Sequence, residues 1–330
     1  MQYVRSGKIN LACRTWGDST NPVLVLVHGY PDSSRVWLPV AKLLAKQYFV
    51  VAYDVRGCGY SSAPSFLWEY GMEKLEGDLL RILDKFSPDR PAHVVGHDWG
   101  SIQAWQGVTS PKLAGRIASF TSISGPCLDH VGHRLRDQFG GRRGGALNTA
   151  TLNAMGNQAI RSWYVGFFHL PVLAPLMWQL GLDKYWPRLL EQMEGIEHAG
   201  SDPNQRKEGK NGINLYRANI LPRLLAPQKR YAHAPVQIIL PSRDPYVTEE
   251  LYRDVDRWVP DLKFQTIDAG HWVLLSHPEA VAELITEFVE IHKAGGPSQP
   301  RSGKPETPAN KEASKKTGKR PKKKMVNATS

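Results

Sequence analysis

The chain has 330 residues, of which 41% are hydrophobic, enough to form a substantial folded core. Its formal net charge is +11, which by itself would suggest a nucleic-acid partner. The segment 294–330 holds ten Lys or Arg residues against two Glu, a net charge of +8, and leaves about +3 on the rest of the chain. The folded body is therefore not expected to bind nucleic acid, because the basic character belongs to the tail.

The three cysteines, Cys13, Cys58 and Cys127, are an odd number and include no C-x-x-C pair. This spacing favours neither a disulfide framework nor a zinc site, and it predicts a protein of the reducing cytoplasm. Residues 1–20 lack the apolar stretch of a secretory signal, so export is not expected.

Apolar runs rich in β-branched residues recur along the chain, with helical patterns between them. Such alternation predicts an α/β fold, with a mostly parallel sheet and helices on both faces. The predicted strands are 23–27, 49–53, 92–95, 118–123, 236–240 and 263–267. The predicted helices have apolar positions at a spacing of three to four and are 37–46, 72–85, 101–109, 249–258 and 278–292.

A long stretch without a strand pattern separates 118–123 from 236–240 and is rich in Leu, Trp, Met and Tyr. We interpret 1–127 and 229–293 as an α/β core and 128–228 as an inserted helical cap, or lid. Residues 163–182 are long and apolar enough for a membrane span, but His169, Pro171 and Pro175 interrupt them. A span here would divide one sheet between two compartments, so a hydrophobic lid is preferred.

Beyond residue 293, Pro, Gly, Ser and Lys dominate, and large apolar residues almost vanish. Such a composition cannot bury enough surface to order itself, so 294–330 is predicted to be a disordered basic tail or a linker. No internal repeat is visible, and no G-x-G-x-x-G fingerprint follows a strand. We therefore expect no nucleotide cofactor.

The motif Gly96-His97-Asp98-Trp99-Gly100 directly follows the strand 92–95 and precedes a helix. This is the context of a nucleophile elbow, in which small flanking residues allow a tight turn that exposes the central side chain. Here that side chain is the carboxylate of Asp98. The alternative is that Asp98 only caps the following helix.

Two further motifs complete the chain order nucleophile, acid, histidine. Asp244 follows one strand in Ser242-Arg243-Asp244-Pro245, and His271 follows the next in Gly270-His271-Trp272. A fourth motif, His28-Gly29-Tyr30-Pro31, follows the strand 23–27. Four motifs at four strand ends favour an active site over a helix cap.

With these motifs, residues 1–293 resemble the α/β-hydrolase superfamily, in the branch that contains epoxide hydrolases and haloalkane dehalogenases. The resemblance is strongest to the hydrolase half of actinobacterial proteins that fuse an epoxide hydrolase to a short-chain dehydrogenase. It implies Asp98 as the nucleophile, Asp244 as the partner of His271, and the backbone amides of Tyr30 and Trp99 as the oxyanion hole. It also implies that a longer form could carry a short-chain dehydrogenase domain downstream.

These roles agree with the chemistry of the groups. A carboxylate with an ordinary pKa near 4 is ionised at neutral pH and can attack a tetrahedral carbon, which gives an alkyl ester on Asp98. His271, polarised by Asp244, can then activate the water that hydrolyses this ester, while the two backbone amides stabilise the oxyanion.

Dehalogenases of this branch hold the departing halide with a Trp after the nucleophile and a polar residue after His-Gly. This sequence has Trp99 in the first position but Tyr30 in the second, and Tyr30-Pro31 resembles the aromatic-Pro pair of epoxide hydrolases. Opening an epoxide also needs proton donors opposite the nucleophile. The segments around Tyr164 and Tyr216 resemble the lid-tyrosine segments of epoxide hydrolases, whereas the alternative for each tyrosine is ordinary packing.

We therefore expect a hydrolase that uses water to open the epoxides of small lipophilic compounds to diols, in lipid metabolism or detoxification. The alternatives are a haloalkane dehalogenase, another α/β hydrolase, and a non-catalytic ligand-binding protein of the same fold. No cofactor and no metal are expected, because His130 and His133, near Asp129, have no further ligand at a suitable spacing.

Overall fold

The computed structural model describes residues 1–139, 156, 158, 160–197 and 200–293. The predicted tail, 294–330, and parts of the predicted cap lie outside these described residues. Within them, eight strands form a single sheet. The strands are β1 (Gln2–Ser6), β2 (Ile9–Trp16), β3 (Val23–Val27), β4 (Phe49–Tyr53), β5 (Ala92–His97), β6 (Ile117–Ile123), β7 (Val236–Pro241) and β8 (Leu262–Ile267).

The strand order across the sheet is β1-β2-β4-β3-β5-β6-β7-β8. Pairing is antiparallel between β1 and β2 and between β2 and β4, and it is parallel at the other five junctions. The predicted α/β class is therefore confirmed. All six predicted strands are present, but β1 and β2 were missed. This hairpin at the sheet edge exposes part of its surface and mixes polar with apolar residues, so it lacks the continuous apolar run of a buried parallel strand.

The helices among the described residues are α1 (Leu38–Leu44), α2 (Met72–Phe86), α3 (Trp99–Val108), α4 (Leu128–Phe139), α5 (Trp163–Phe168), α6 (Leu173–Met177), α7 (Asp183–Glu194), α8 (Gln205–Leu225), α9 (Val273–Ser276) and α10 (Pro278–Ile291). Short 3-10 turns occupy Ser34–Trp37, Leu67–Tyr70 and Pro111–Leu113. The residues described between β6 and β7 add helices and no strand to the sheet.

The predicted α-helix over 249–258 is wrong. The segment forms two 3-10 turns, Glu249–Tyr252 and Val255–Arg257, separated by Asp254 in a left-handed conformation with φ 63°. Its buried residues, Tyr252, Val255 and Trp258, recur every three positions. That spacing matches the three residues per turn of a 3-10 helix, which a pattern of three-to-four spacing does not distinguish from an α-helix.

The sheet is buried on both faces, as the strand β3 illustrates. Val23, Val25 and Val27 pack into one hydrophobic cluster, whereas Leu24 and Leu26 pack into the other. Successive side chains of a strand point to opposite faces, so a run of five apolar residues is what a fully covered strand requires. The carboxyl ends of the parallel strands are thereby fixed in place, and the loops that follow them carry Tyr30, Asp98, Asp244 and His271.

The apolar stretch 163–182 does not form one helix. It divides into α5, α6 and a single π-helical turn at Trp178–Leu182, in which Gly181 has a φ of 113°. In the part of the chain that the structure describes, no helix has both the length and the apolarity needed to cross a bilayer.

Candidate active site

Asp98 lies in the tight turn between β5 and α3, with backbone angles φ 51° and ψ −122°. A Cβ added to Gly100 would lie 1.9 Å from the carbonyl oxygen of Val27, and one added to Gly96 would lie 2.5 Å from the backbone of Ser101. Only glycine therefore fits at these two positions. A positive φ at Asp98 is strained for a residue with a side chain, and such strain is typical of nucleophile elbows.

The Asp98 side chain makes no hydrogen bond that caps α3. Instead, its Oδ1 accepts a hydrogen bond of 2.7 Å from the backbone N–H of Tyr30. A Cβ at Gly29 would lie 2.3 Å from the same oxygen, so the absence of a side chain there lets the β3 loop approach the carboxylate. The helix-cap alternative does not describe this contact.

The three residues predicted as a triad lie together at the carboxyl ends of β5, β7 and β8. His271 Nδ1 lies 2.8 Å from Asp244 Oδ2, and His271 Nε2 lies 3.8 Å from Asp98 Oδ2. The second Asp244 oxygen accepts backbone N–H bonds from Tyr246 at 2.8 Å and Val247 at 3.0 Å. Asp244 thus fixes the orientation of the imidazole from the side opposite Asp98.

The environment of Asp98 changes its proton affinity. Burial raises the pKa of this carboxyl to about 6, although His271 and the backbone amides of Tyr30 and Trp99 favour the ionised form. The buried position thus moves the pKa of Asp98 upward from the ordinary value near 4. Asp98 is nevertheless ionised at neutral pH.

The pKa values of His271 and Asp244 shift in opposite directions. Burial alone would lower the pKa of His271, but Asp244, followed by Asp98 and Glu194, outweighs burial and raises it to about 9. For Asp244, burial would raise the pKa, but His271 and the two backbone amides hold it below its usual value. At neutral pH these shifts favour an ionised Asp98 beside a protonated His271.

A cavity of about 200 Å³ opens above Asp98 and His271. Asp244 does not line it, because this residue lies behind the imidazole. The other lining residues are mainly aromatic and aliphatic, and they include both predicted lid tyrosines: Tyr30, Pro31, Trp163, Tyr164, Phe167, Phe168, Ala174, Met177, Trp178, Leu182, Trp186, Tyr216, Tyr246 and Trp272.

Tyr164 of α5 and Tyr216 of α8 are held by ring contacts. The Tyr216 ring packs edge-on against Trp99 at 4.8 Å and against Tyr30 at 5.4 Å. The centroids of the Tyr164 and Tyr216 rings lie 5.9 Å apart. Burial, and then the charge of Asp98, raise the pKa of both hydroxyls well above the usual value. Both groups therefore stay protonated and can donate hydrogen bonds into the cavity.

Asp32 and Tyr246 are among the residues near the site that were not predicted. Asp32 Oδ2 accepts a hydrogen bond of 2.9 Å from the Trp272 indole, and burial followed by repulsion from Asp98 raises the pKa of Asp32 to about 7. Tyr246 packs against the His271 ring at 5.1 Å. Their positions in the loops that carry Tyr30 and Asp244 are a signal that sequence reasoning could have used.

No group of His, Cys, Asp and Glu side chains suited to a metal ion occurs among the described residues. The His130 ring stacks on Trp258 at 5.0 Å, and Asp129 accepts hydrogen bonds from Arg223 and Arg230. A second cavity, of about 390 Å³, lies along the 249–264 region, and none of the predicted site residues lines it.

Over residues 22–278, the sequence matches the family described as the alpha/beta hydrolase fold. The chain belongs to the α/β-hydrolase fold family. This α/β hydrolase is 33% identical over 298 residues to a Mycobacterium tuberculosis protein named probable oxidoreductase EphD; the match covers 88% of this chain and 49% of EphD. The chain thus spans about half the length of that relative.

This α/β hydrolase is also 26% identical over 304 residues to the AB hydrolase superfamily protein YfhM of Bacillus subtilis, with 88% of this chain and 97% of YfhM covered. Among solved structures, it is similar to a mutant epoxide hydrolase from Bacillus megaterium in complex with its diol product. The TM-score is 0.71 at 21% identity, with coverage of 88% of this chain and 100% of the other. At that identity the similarity establishes the fold.

Proposed function

We propose that this α/β hydrolase converts epoxides of lipophilic compounds to diols through a covalent ester on Asp98. The observation that carries the proposal is the composition of one cavity. An ionised Asp98 lies 3.8 Å from the His271 imidazole on its floor, and two protonated tyrosines from the inserted helices line it. Relatives named epoxide hydrolase, such as epoxide hydrolase A of Mycobacterium tuberculosis, 38% identical over 114 residues, add support.

In the first half-reaction, an Asp98 carboxylate oxygen attacks an epoxide carbon and forms a carbon–oxygen bond. The ring bond from that carbon to the epoxide oxygen breaks, and the electron pair remains on the oxygen. Tyr164 and Tyr216 are proposed to donate hydrogen bonds to this oxygen, and one of them transfers its proton. The products are a hydroxyalkyl ester of Asp98 and a tyrosinate.

The protonated His271 restores the tyrosine by giving up its proton, either directly or through water. Esterification removes the negative charge of Asp98, which lay 3.8 Å from His271 Nε2. Loss of that charge makes the imidazolium more acidic, so the reaction itself converts His271 into a free base. The raised pKa of His271 is thus compatible with its role as a base.

In the second half-reaction, His271 takes a proton from a water molecule whose oxygen attacks the Asp98 ester carbonyl. The backbone amides of Tyr30 and Trp99 are proposed to bind the resulting oxyanion. Collapse breaks the bond between the carbonyl carbon and the alkyl oxygen, which takes the proton from His271 and leaves as the diol. The remaining carboxyl proton returns to His271, so the starting charges are regenerated.

The cavity wall supports a lipophilic substrate. Apart from Asp98, His271 and the tyrosine hydroxyls, it presents rings and alkyl groups such as those of Phe167, Phe168 and Leu182. We propose that 1–127 and 229–293 form the catalytic core and that 128–228 act as a cap that encloses the substrate. Because EphD is named an oxidoreductase and the match covers 49% of it, a downstream dehydrogenase domain in a longer form is part of the proposal.

A haloalkane dehalogenase is the second candidate, because Trp99 stands beside Asp98 as one halide donor would. The second donor position holds Tyr30, whose hydroxyl accepts a hydrogen bond of 2.9 Å from Trp178. Tyr30 is therefore engaged with the inserted helices, and this disfavours a halide site.

The purified protein should be incubated with a panel of lipophilic epoxides and haloalkanes, with diol and halide release both measured. Asp98→Asn is the matched control, because it keeps the size of the side chain and removes its charge. Diol formation that disappears in the control supports the proposal. Halide release without diol would assign the protein to the dehalogenases, and binding without either product would assign it to a non-catalytic class.

A further inference from the structure

Glu194, the last residue of α7, reaches from the inserted helices to the loop that carries His271. Gly195 follows it in a left-handed conformation with φ 67°, which ends the helix at this point. A carboxylate at the C-terminal end of a helix is unfavourable by charge alone, because it lies near the negative end of the helix dipole. Contacts elsewhere must therefore hold it in place.

Those contacts lie on both sides of His271. Glu194 Oε1 accepts a hydrogen bond of 3.0 Å from the backbone N–H of Trp272, and Oε2 lies 3.4 Å from the hydroxyl of Ser276. On the other side, a Cβ added to Gly270 would lie 2.6 Å from both Glu194 carboxylate oxygens. The glycine before His271 thus leaves room for the carboxylate, and the amide after His271 binds it.

Several charged or titratable groups face His271 from the elements around it. Asp32 follows β3, Asp98 follows β5, and Asp244 and Tyr246 follow β7. His97 of β5 has its Nε2 2.9 Å from the carbonyl oxygen of His271. Glu194 is supplied by α7. Within this set, Glu194 is the carboxylate that the inserted helices supply. Its charge persists when Asp98 becomes an ester.

We propose that Glu194 is a positioning residue that holds the His271 loop against the inserted helices and keeps the imidazole basic while Asp98 is esterified. The kinetic part of this proposal rests on the ester mechanism proposed above. It implies that the water-activating base has full strength only when α7 is seated on the loop.

Three variants separate the two roles of Glu194. Glu194→Gln keeps an oxygen that can accept from Trp272 but removes the charge, and Glu194→Ala removes both. Glu197→Gln is the matched control, because Glu197 is an exposed carboxylate three residues further along the chain. The His271 imidazole can be titrated by NMR, with its signal assigned by comparison with His271→Gln. The breakdown of the Asp98 ester can be followed by rapid quench and intact mass across the same pH range.

Removal of a nearby negative charge favours the neutral imidazole, so Glu194→Gln should lower the His271 titration midpoint by about half a pH unit or more. The acid limb of ester breakdown should move to lower pH in the same variant. Glu197→Gln should change neither, because an exposed charge is screened by solvent. Glu194→Ala should break down the ester more slowly than Glu194→Gln at every pH.

A titration midpoint in Glu194→Gln equal to that of the control would overturn the electrostatic role. Ester breakdown in Glu194→Ala at the parent rate would overturn the positioning role. The NMR titration needs no turnover, so a lowered midpoint in a protein that forms no ester would refute the proposed function while leaving the contact between Glu194 and His271 established.

Discussion

The strand ends and the inserted helices hold their site residues in different ways. At the strand ends, Asp98 accepts a hydrogen bond of 2.7 Å from one backbone amide, and Asp244 is held by two backbone amides and by His271 at 2.8 to 3.0 Å. On the inserted helices, Tyr164 and Tyr216 are held by edge-on ring contacts with centroids 4.8 to 5.9 Å apart. The charged triad thus lies in loops that follow the strands, whereas the two neutral donors are placed by aromatic packing on the inserted helices.

This difference suggests that the strand ends and the inserted helices contribute to the reaction in different ways. The Asp98 and Asp244 carboxylates accept hydrogen bonds from backbone amides of the loops that follow β3 and β7, and these amides are preorganised donors. The proton donors only need to meet the substrate oxygen, so packing is enough to place them. Substitutions at the strand ends should therefore remove whole chemical steps, and substitutions on the helices should slow one step.

Asp98→Asn should have the largest effect. The amide cannot form the ester, so diol formation should fall on the order of 10⁴-fold or more, as for other nucleophile replacements. Rapid quench followed by intact-mass analysis should show no alkyl-enzyme. An alkyl adduct on another residue of this variant would show that Asp98 is not the nucleophile.

His271→Gln should stop the reaction half-way. Ester formation does not require a base, so the alkyl-enzyme should accumulate to nearly one equivalent, while steady-state diol formation falls on the order of 10³-fold. A mass increase equal to that of the epoxide is the expected observation. A variant that stays unmodified and nearly as active as the parent would remove His271 from the mechanism.

Tyr164→Phe and Tyr216→Phe should each slow ester formation by roughly ten- to a hundredfold, because each removes a charge-assisted hydrogen bond of about 1.5–3 kcal/mol. The double variant should be nearly inactive, whereas breakdown of a preformed ester should change much less. Tyr185→Phe is a suitable control, because Tyr185 is 62% exposed on α7. Full diol formation by the double variant would exclude the tyrosines as donors.

The smallest expected effect is on the pH dependence of ester formation. Asp98 must be ionised to attack, and its pKa is raised to about 6 by burial. The rate of ester formation should therefore be constant above that pH, fall by half near it, and drop by about tenfold for each further unit of acidification. This fall in rate can be measured as single-turnover rates between pH 4.5 and 8, about the range in which the carboxyl titrates. A fall in rate centred near pH 4 would show that burial does not raise the pKa of Asp98.

The position of a residue in the fold also explains whether the sequence could predict it. Asp98 and Asp244 follow strands that are mostly apolar, and His271 follows β8, which alternates apolar with polar residues. The order of these parallel strands brings their loops to one edge of the sheet. The elbow glycines, Gly96 and Gly100, were identifiable because a close backbone approach leaves no room for a side chain. These features are local in the sequence.

Other features depend on contacts between distant segments. Asp32 meets the Trp272 indole from 240 residues away, and Glu194 meets the Trp272 amide from 78 residues away. No periodicity or motif encodes such pairs. The helix prediction for 249–258 failed for a related reason, since a buried spacing of three fits both a 3-10 turn and an α-helix until the packing is known.

The most direct test of the covalent mechanism is a single turnover in ¹⁸O-labelled water with the enzyme in excess over an epoxide. Peptide mass analysis then locates the label. An Asp98 ester hydrolysed at its carbonyl carbon transfers the water oxygen to Asp98, so the label should appear in the peptide that contains Asp98, while the first diol carries none. Label in the first diol, with an unlabelled Asp98 peptide, would mean that water attacks the epoxide directly and would contradict the proposed ester.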